Sequence, residues 1–125
     1  MPAKILCLVM AAGAMLAAFS SEEQLGKDLF VRRCGGCHAP DSDKVGPRLG
    51  GIYGRKAAGV PGFPYSDALK KAAIRWDDAT LDRWLADPNS VVPDTDMEFR
   101  LTDGEERKAV IAYLRSLDSK TKGNR

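Results

Sequence analysis

The chain has 125 residues, enough for one small domain, and its 19 Lys and Arg against 17 Asp and Glu give a formal net charge of +2. This small excess excludes the strongly basic proteins that bind nucleic acid through their charge, and no run of like charges marks a membrane-binding patch. With 3 cysteines and 1 histidine, a structural zinc site would need every Cys and His in the chain as a ligand.

The first twenty residues are typical of an export signal. Lys4 supplies a positive charge, residues 5–19 are almost wholly apolar or small, and residues 18–20 have the small-x-small pattern of a secretory cleavage site. The apolar run of about fifteen residues is shorter than the roughly 20 residues that a membrane-spanning helix needs. We predict a cleaved signal peptide over 1–20 and a periplasmic protein. The alternative is an uncleaved N-terminus that anchors the protein to the membrane.

A first helix is predicted over about residues 21–33. Ser20 and Glu23 form a capping-box pair, and an apolar stripe at helical spacing follows them. Gly26 lies inside this helix, where glycine costs about 1 kcal/mol relative to alanine. Its position therefore indicates the close approach of another helix.

Directly after this helix, the segment 34–38 carries two cysteines three positions apart and a histidine next to the second. This is the pattern of a c-type haem attachment site, in which the thiols bond to the porphyrin and the imidazole ligates its iron. On one helical turn residues three apart share a face, so Cys34 and Cys37 can reach one haem edge, with His38 beneath the iron. A thioredoxin-like pair would need a strand-helix-strand setting, which the flanking sequence lacks. We predict one haem c attached through Cys34 and Cys37.

Loops and short helices follow the attachment site. Residues 39–65 are rich in glycine and proline and have neither a helical nor a strand period, which predicts a long loop. A short capped helix is predicted over 66–74, and another helix from Asp77 or Asp78 until Pro88 ends it. A second loop is predicted over 88–101.

The last helix is predicted over about 103–117. Thr102 and Glu105 form a capping-box pair before an apolar stripe at helical spacing. The folded domain should then cover residues 21–118, and the polar tail, 119–125, should fray.

Met97 is the candidate for the second axial ligand of the iron. Of the 4 methionines, Met1, Met10 and Met15 leave with the predicted signal peptide, so Met97 is the only thioether that remains. It lies in the predicted loop, whereas a core methionine more often lies on a helix face. Ligation by one histidine and one methionine raises the reduction potential and closes the iron to substrates, which favours electron carriage.

Over nearly all of residues 22–117 the motifs, taken in order, resemble those of the soluble class I cytochromes c, the mitochondrial type and its bacterial relatives. The matching positions are Gly26, Phe30, Cys34-x-x-Cys37-His38, Val45-Gly46-Pro47-x-Leu49-x-Gly51, Gly54-Arg55, Pro61-Gly62-Phe63-x-Tyr65-Ser66-Asp67-Ala68, Trp76, Thr80-Leu81, Leu85, Pro88, Pro93-x-Thr95-x-Met97-x-Phe99 and Ile111-Ala112-Tyr113-Leu114. The resemblance implies an all-α, single-haem fold. Its N- and C-terminal helices would cross at Gly26, and its short helices and long loops would wrap the haem.

The resemblance also implies how the haem is held. The carbonyl of Pro47 would accept a hydrogen bond from the ring of His38 and fix its tautomer. The residues that would bind the haem propionates are Arg55, Tyr65, Trp76 and Thr95. Because a buried carboxylate without partners is costly, Arg55 is interpreted as a counter-charge.

The sequence departs from the family pattern in two respects. Mitochondrial members carry lysines around the exposed haem edge, whereas the Met97 side here carries Asn89, Ser90, Asp94, Asp96 and Glu98. A redox partner with a neutral or basic docking patch is therefore predicted. Trp84 stands where the family usually has a tyrosine whose hydroxyl reaches the methionine sulfur.

The sequence predicts a monomeric carrier that shuttles single electrons between transient redox partners, without enzymatic activity. It predicts no nucleic-acid partner and no stable membrane insertion after signal cleavage. Two alternatives stay open. In one, Met97 is not bound and a five-coordinate haem takes up gas or peroxide. In the other, the chain is a dedicated cytochrome subunit of a dehydrogenase complex.

Overall fold

A computed structural model describes residues 21–123 of the chain, with side chains as far as residue 118. The predicted signal peptide, 1–20, lies outside the described residues. Within that range the chain forms helices joined by loops, namely α1 (21–34), α2 (Asp67–Lys71), α3 (Asp78–Ala86), α4 (Pro88–Val91) and α5 (Gly104–Gly123). The described residues contain no strand, only one antiparallel bridge between Lys56 and Arg75. The predicted all-α class with long loops is confirmed.

Helix α1 changes its winding before the attachment site. It is α-helical over 21–29 and π-helical over Phe30–Cys34, a form that is often found at functional sites. The carbonyl of Cys34 then accepts hydrogen bonds from the backbone N–H groups of Cys37 at 3.0 Å and His38 at 2.8 Å. The attachment segment is therefore wound into one turn at the end of the predicted first helix.

Helices α1 and α5 cross at Gly26. A Cβ atom on Gly26 would lie 2.7 Å from the carbonyl carbon of Ala109 and 2.9 Å from Cβ of Tyr113, which is closer than real Cβ atoms approach. The rings of Phe30 and Tyr113 pack beside this point, with centroids 5.4 Å apart. The crossing predicted from the resemblance is confirmed, since only a glycine allows the two backbones to come so close.

Helix α2 is shorter than predicted. Its N-cap is Ser66, whose hydroxyl accepts a hydrogen bond from the backbone of Leu69 at 3.2 Å. The prediction of helix beyond Lys71 is wrong, because the chain there is extended and the carbonyl of Ile74 accepts from the N–H of Ala57 at 2.8 Å. Hydrogen bonds to a distant loop replace those of a last helical turn.

Helix α3 begins where it was predicted. Asp77 and Thr80 form a capping box in which each side chain accepts a hydrogen bond from the other residue's backbone, both at 2.8 Å. The prediction of an unbroken loop over 88–101 is wrong at its start, because Pro88–Val91 is helical. Proline suits a first helical position, so Pro88 both ends α3 and begins α4.

Helix α5 differs from its prediction at both ends. The side chain of Asp103, and not that of Thr102, accepts the backbone hydrogen bonds of Glu105 and Glu106 at 2.9 and 3.0 Å. The helix continues past residue 117 to Gly123, into the segment predicted as a tail. Among the described residues, no helix is long and apolar enough to cross a membrane.

Substituting Gly26 tests the helix crossing. We expect Gly26→Ala to lower the free energy of unfolding of the haem-loaded protein by about 1–3 kcal/mol, because its Cβ overlaps Ala109 and forces the helices apart. Gly104→Ala is the matched control, since its Cβ would meet only the end of Arg107, at 3.5 Å. The control should change stability by less than about 0.5 kcal/mol in guanidinium unfolding. Equal stability of the two variants would contradict the close approach at Gly26.

Candidate haem-binding site

The core of the protein contains a cavity of about 630 Å³, a volume typical of cofactor sites. Helices α1, α3 and α5 all contribute buried apolar side chains to its wall. These are Phe30, Leu81, Trp84, Leu85, Val110 and Leu114. Because the same residues belong to the hydrophobic core, the cavity is surrounded by the core rather than attached to the surface.

Both cysteines of the attachment segment line this cavity. Cys34 is half-buried and Cys37 is exposed. Burial, with a smaller contribution from the neighbouring Cys37, raises the pKa of the Cys34 thiol to about 11. Before haem attachment, Cys34 is therefore a neutral thiol at neutral pH.

His38 also lines the cavity, and its ring contacts the carbonyl of Pro47 and the backbone of Gly46. Nδ1 lies 2.8 Å from the carbonyl oxygen of Pro47. A carbonyl can only accept, so Nδ1 carries the proton and Nε2 keeps its lone pair for a metal. Burial lowers the pKa of His38, and the charge of Lys44 adds to this effect, while the bond to Pro47 opposes it. The imidazole is therefore neutral at physiological pH, the form that ligates iron.

Gly46 is a site residue to which the sequence analysis gave no role. A Cβ atom on Gly46 would lie 2.6 Å from Nδ1 and 2.7 Å from Nε2 of His38, so the ring packs directly against the glycine backbone. The N–H of Gly46 also donates to the carbonyl of Cys37 at 2.8 Å. The signal in the sequence was the pair Gly46-Pro47. Gly46 makes room for the ring of His38, and the carbonyl of Pro47 accepts a hydrogen bond from it.

Met97 is half-buried and lines the same cavity from the segment between α4 and α5. A turn precedes it, in which the N–H of Thr95 donates to the carbonyl of Val92 at 3.2 Å. Asp94 adopts a φ of 66° in this turn, a left-handed conformation that Asp tolerates better than most residues. Thr95, which is 7% exposed, also lines the cavity, so the turn directs both side chains inward.

Tyr65 and Trp76 line the cavity as well. The hydroxyl oxygen of Tyr65 accepts a hydrogen bond from the N–H of Val60 at 3.0 Å, which leaves its own proton free to be donated. Burial raises the pKa of Tyr65, although the bond from Val60 and the charge of Arg55 oppose the shift. Trp76 packs edge-on against Trp84, with ring centroids 5.2 Å apart.

Arg55 is the one predicted site residue that does not line the cavity. Its Nη2 donates to the carbonyl of Gly50 at 3.4 Å, while its Nη1 is buried without a partner among the described residues. Gly51 and Gly59 make room for the side chain, because a Cβ atom on either would lie 2.9 Å from Arg55. A buried guanidinium N–H without an acceptor is costly, and a carboxylate bound in the cavity could supply one.

These features together fit a haem. The cavity is apolar and of suitable size, and a neutral imidazole, two cysteines and a thioether share its wall. Arg55 lies outside the lining, and its buried Nη1 has no acceptor among the described residues. The resemblance had named Arg55, but only the structure reveals that one nitrogen lacks an acceptor.

Comparison with known proteins decides the family. The family model for cytochrome c matches residues 23–118. The chain belongs to the cytochrome c family. Cytochrome c2 iso-2 of Magnetospirillum molischianum is 45% identical over 87 residues, which cover 67% of this chain and 90% of that protein. Cytochrome c of Euglena viridis is 40% identical over 99 residues, which cover 77% of this chain and 97% of that protein.

A solved structure agrees with the family assignment. Cytochrome cH from Methylobacterium extorquens superimposes with a TM-score of 0.72 at 41% identity, and the match covers 75% of this chain and 97% of that one. The family, the fold and the cofactor predicted from the sequence are thereby confirmed. The protein carries one haem c, attached covalently through Cys34 and Cys37, and it is a monohaem electron-transfer protein that exchanges electrons with redox partners.

Proposed function

We propose that the protein is a periplasmic, monomeric carrier of single electrons whose haem iron is held between His38 and Met97. The observation that carries this proposal is that a neutral histidine, with Nδ1 committed to Pro47, shares one cavity wall with Met97. No other histidine exists in the sequence, and no other methionine lies outside the predicted signal peptide.

When bound, the haem supplies one iron that gains or loses a single electron. His38 stays neutral, and Pro47 fixes the tautomer that leaves Nε2 for the iron. Met97 would hold the iron together with His38, which would keep small molecules from the metal. Each cycle takes one electron from a donor and passes one to an acceptor, without moving atoms or protons, and we therefore propose no enzymatic activity.

We further propose that the haem propionates are held by Arg55, Tyr65, Trp76 and Thr95. The unpaired Nη1 of Arg55 and the undonated proton of Tyr65 support this, since both lack an acceptor within the described part of the chain. Pairing with a guanidinium lets a carboxylate stay ionised inside an apolar wall.

Export to the periplasm is proposed from the N-terminal sequence and from chemistry. Thioether attachment of haem c happens outside the cytoplasm in bacteria, so the chain must leave it before the haem is attached. The apolar segment that precedes α1 supplies the signal.

Replacing Met97 tests the axial ligation. Met97→Leu keeps the side-chain volume but removes the sulfur. We expect the far-red absorption band of the oxidised protein, which arises from charge transfer between methionine and ferric iron, to disappear and the reduction potential to fall. Phe99→Leu in the same segment is the control and should keep the band. A band that survives Met97→Leu, or is absent from the unaltered protein, contradicts the ligation and favours the five-coordinate alternative.

Replacing Arg55 tests the propionate partner. We expect Arg55→Met to destabilise the haem-loaded protein by about 3 kcal/mol near neutral pH, because a buried carboxylate loses its counter-charge. A guanidinium beside that carboxylate would lower its pKa in the folded state, so the stabilisation would be lost as pH falls, and the difference from the unaltered protein should narrow below about pH 5. Arg48→Met, which breaks a half-exposed pair with Asp43 at 3.4 Å, is the control. A pH-independent difference would contradict the pairing.

Cell fractionation tests export. We expect the haem-loaded protein in the periplasm of a bacterial host, with its N-terminus near Ser21 by mass spectrometry. A chain that lacks residues 1–20 should stay in the cytoplasm without covalent haem. Covalent haem on that shortened cytoplasmic chain would argue against the proposed route.

A further inference from the structure

Two exposed apolar side chains stand at the mouth of the haem cavity. Val45 is 79% exposed and Phe99 is 39% exposed, and both line the cavity. Val45 precedes the glycine that packs against the ring of His38, and Phe99 follows Met97 by two positions. One exposed apolar side chain thus lies beside the opening near each proposed iron ligand. Exposed apolar side chains grouped in this way are typical of protein-docking sites.

The segment that carries Met97 lines the rim of the cavity, and the exposure of its side chains alternates over residues 95–98. Thr95 is buried and Met97 is half-buried, whereas Asp96 and Glu98 are exposed. This period of two is that of an extended backbone, whose successive side chains point to opposite sides. One short segment therefore combines the proposed ligand, which is half-buried, with negative charges that are exposed at the cavity rim.

The acidic side chains of this segment are free to meet a partner. Asp94, Asp96 and Glu98 form no ion pair and no hydrogen bond within residues 21–118. Asp96 and Glu98 also line the cavity, so their charge lies where electrons would enter or leave.

The cations at the cavity mouth are already engaged. Arg33 pairs with Glu106 at 3.8 Å, and Nζ of Lys44 donates to the carbonyl of Gly35 at 2.6 Å. Arg33 faces an anion of its own, whereas Lys44 keeps its charge because a carbonyl is neutral. The two carboxylates of Asp96 and Glu98 outnumber this one lysine, so the net charge beside the opening is negative. The formal net charge of the chain is only +2, so an approaching protein is steered by this local field.

We propose that Val45, Phe99, Asp96 and Glu98 form the docking face for a redox protein that surrounds its own apolar cofactor edge with lysines and arginines. The inference rests on the proposed electron-carrier function and names the class of partner. Apolar contact would cover the cavity mouth, and the two carboxylates would speed and orient the encounter more than they tighten it. A second copy of this chain does not fit, because it would bring the same carboxylates against each other.

Charged small oxidants test the sign of the field. Stopped-flow oxidation of the reduced, haem-loaded protein by the trication tris(phenanthroline)cobalt(III) should slow as salt rises from about 0.01 M to about 0.15 M. Oxidation by trianionic ferricyanide should accelerate over the same range. Asp96→Asn with Glu98→Gln should slow the cationic reaction about fivefold at low salt.

The control double variant changes the net charge by the same amount but away from the cavity mouth. Glu23→Gln with Asp67→Asn replaces two exposed acids that do not line the cavity, and it should leave both rates unchanged. A mitochondrial-type cytochrome c with a lysine-rich haem edge serves as the protein probe. Its electron exchange with this protein should fall about fivefold in the Asp96/Glu98 variant at low salt, but not in the control.

The outcomes separate the two proposals. Two outcomes would overturn the docking face while the carrier function stands. In the first, the protein exchanges electrons with all probes but the two double variants react at the same rates. In the second, salt slows the oxidation by ferricyanide. If no probe oxidises the protein, the carrier function fails and the docking face fails with it. Selective slowing of the cationic oxidant and of the lysine-rich cytochrome in the Asp96/Glu98 variant supports the proposed face.

Discussion

The rest of the structure depends on a cavity that must be filled by a haem. Helices α1, α3 and α5 reach one another partly through side chains that also line about 630 Å³ of open core. Apolar surface left facing water costs about 25 cal/mol per Å², so a small domain cannot leave such a wall uncovered. The haem and the helix arrangement therefore stabilise each other. The long segment between α1 and α2 can lack regular structure because the macrocycle gives it an apolar surface to pack on.

Glycines set the distances at which this arrangement works. At Gly26 the missing side chain lets two helices touch, and at Gly46 it lets the ring of His38, the proposed iron ligand, lie against the backbone. Gly51 makes room for the guanidinium of Arg55, and Gly59 makes room for the aliphatic part of the same side chain. Each of these glycines thus allows one close approach, to a helix at Gly26, to the ring of His38 at Gly46 and to the side chain of Arg55 at Gly51 and Gly59.

The buried and the exposed groups of the site differ in their charge. Among the buried groups of the cavity wall, apolar side chains and a neutral imidazole predominate, because ions in an apolar wall are costly. The same segment that carries Met97 exposes carboxylates that have no partner among residues 21–118, and in the proposed docking face these would bias an encounter. Because side-chain exposure alternates along this extended segment, the proposed iron ligand is separated from the charges that would meet a partner.

The sequence by itself determined what depends on neighbouring residues. The attachment motif, the Asp77–Thr80 capping box and the helical stripes of α1 and α5 are local patterns, and Met97 followed from counting thioethers. The tertiary structure decided what depends on residues far apart. Helix α2 ends early because Ile74 bonds to Ala57, and α4 forms where only a loop was predicted. The packing of Gly46 on His38 and the unpaired Nη1 of Arg55 likewise follow from contacts between segments, which no local pattern encodes.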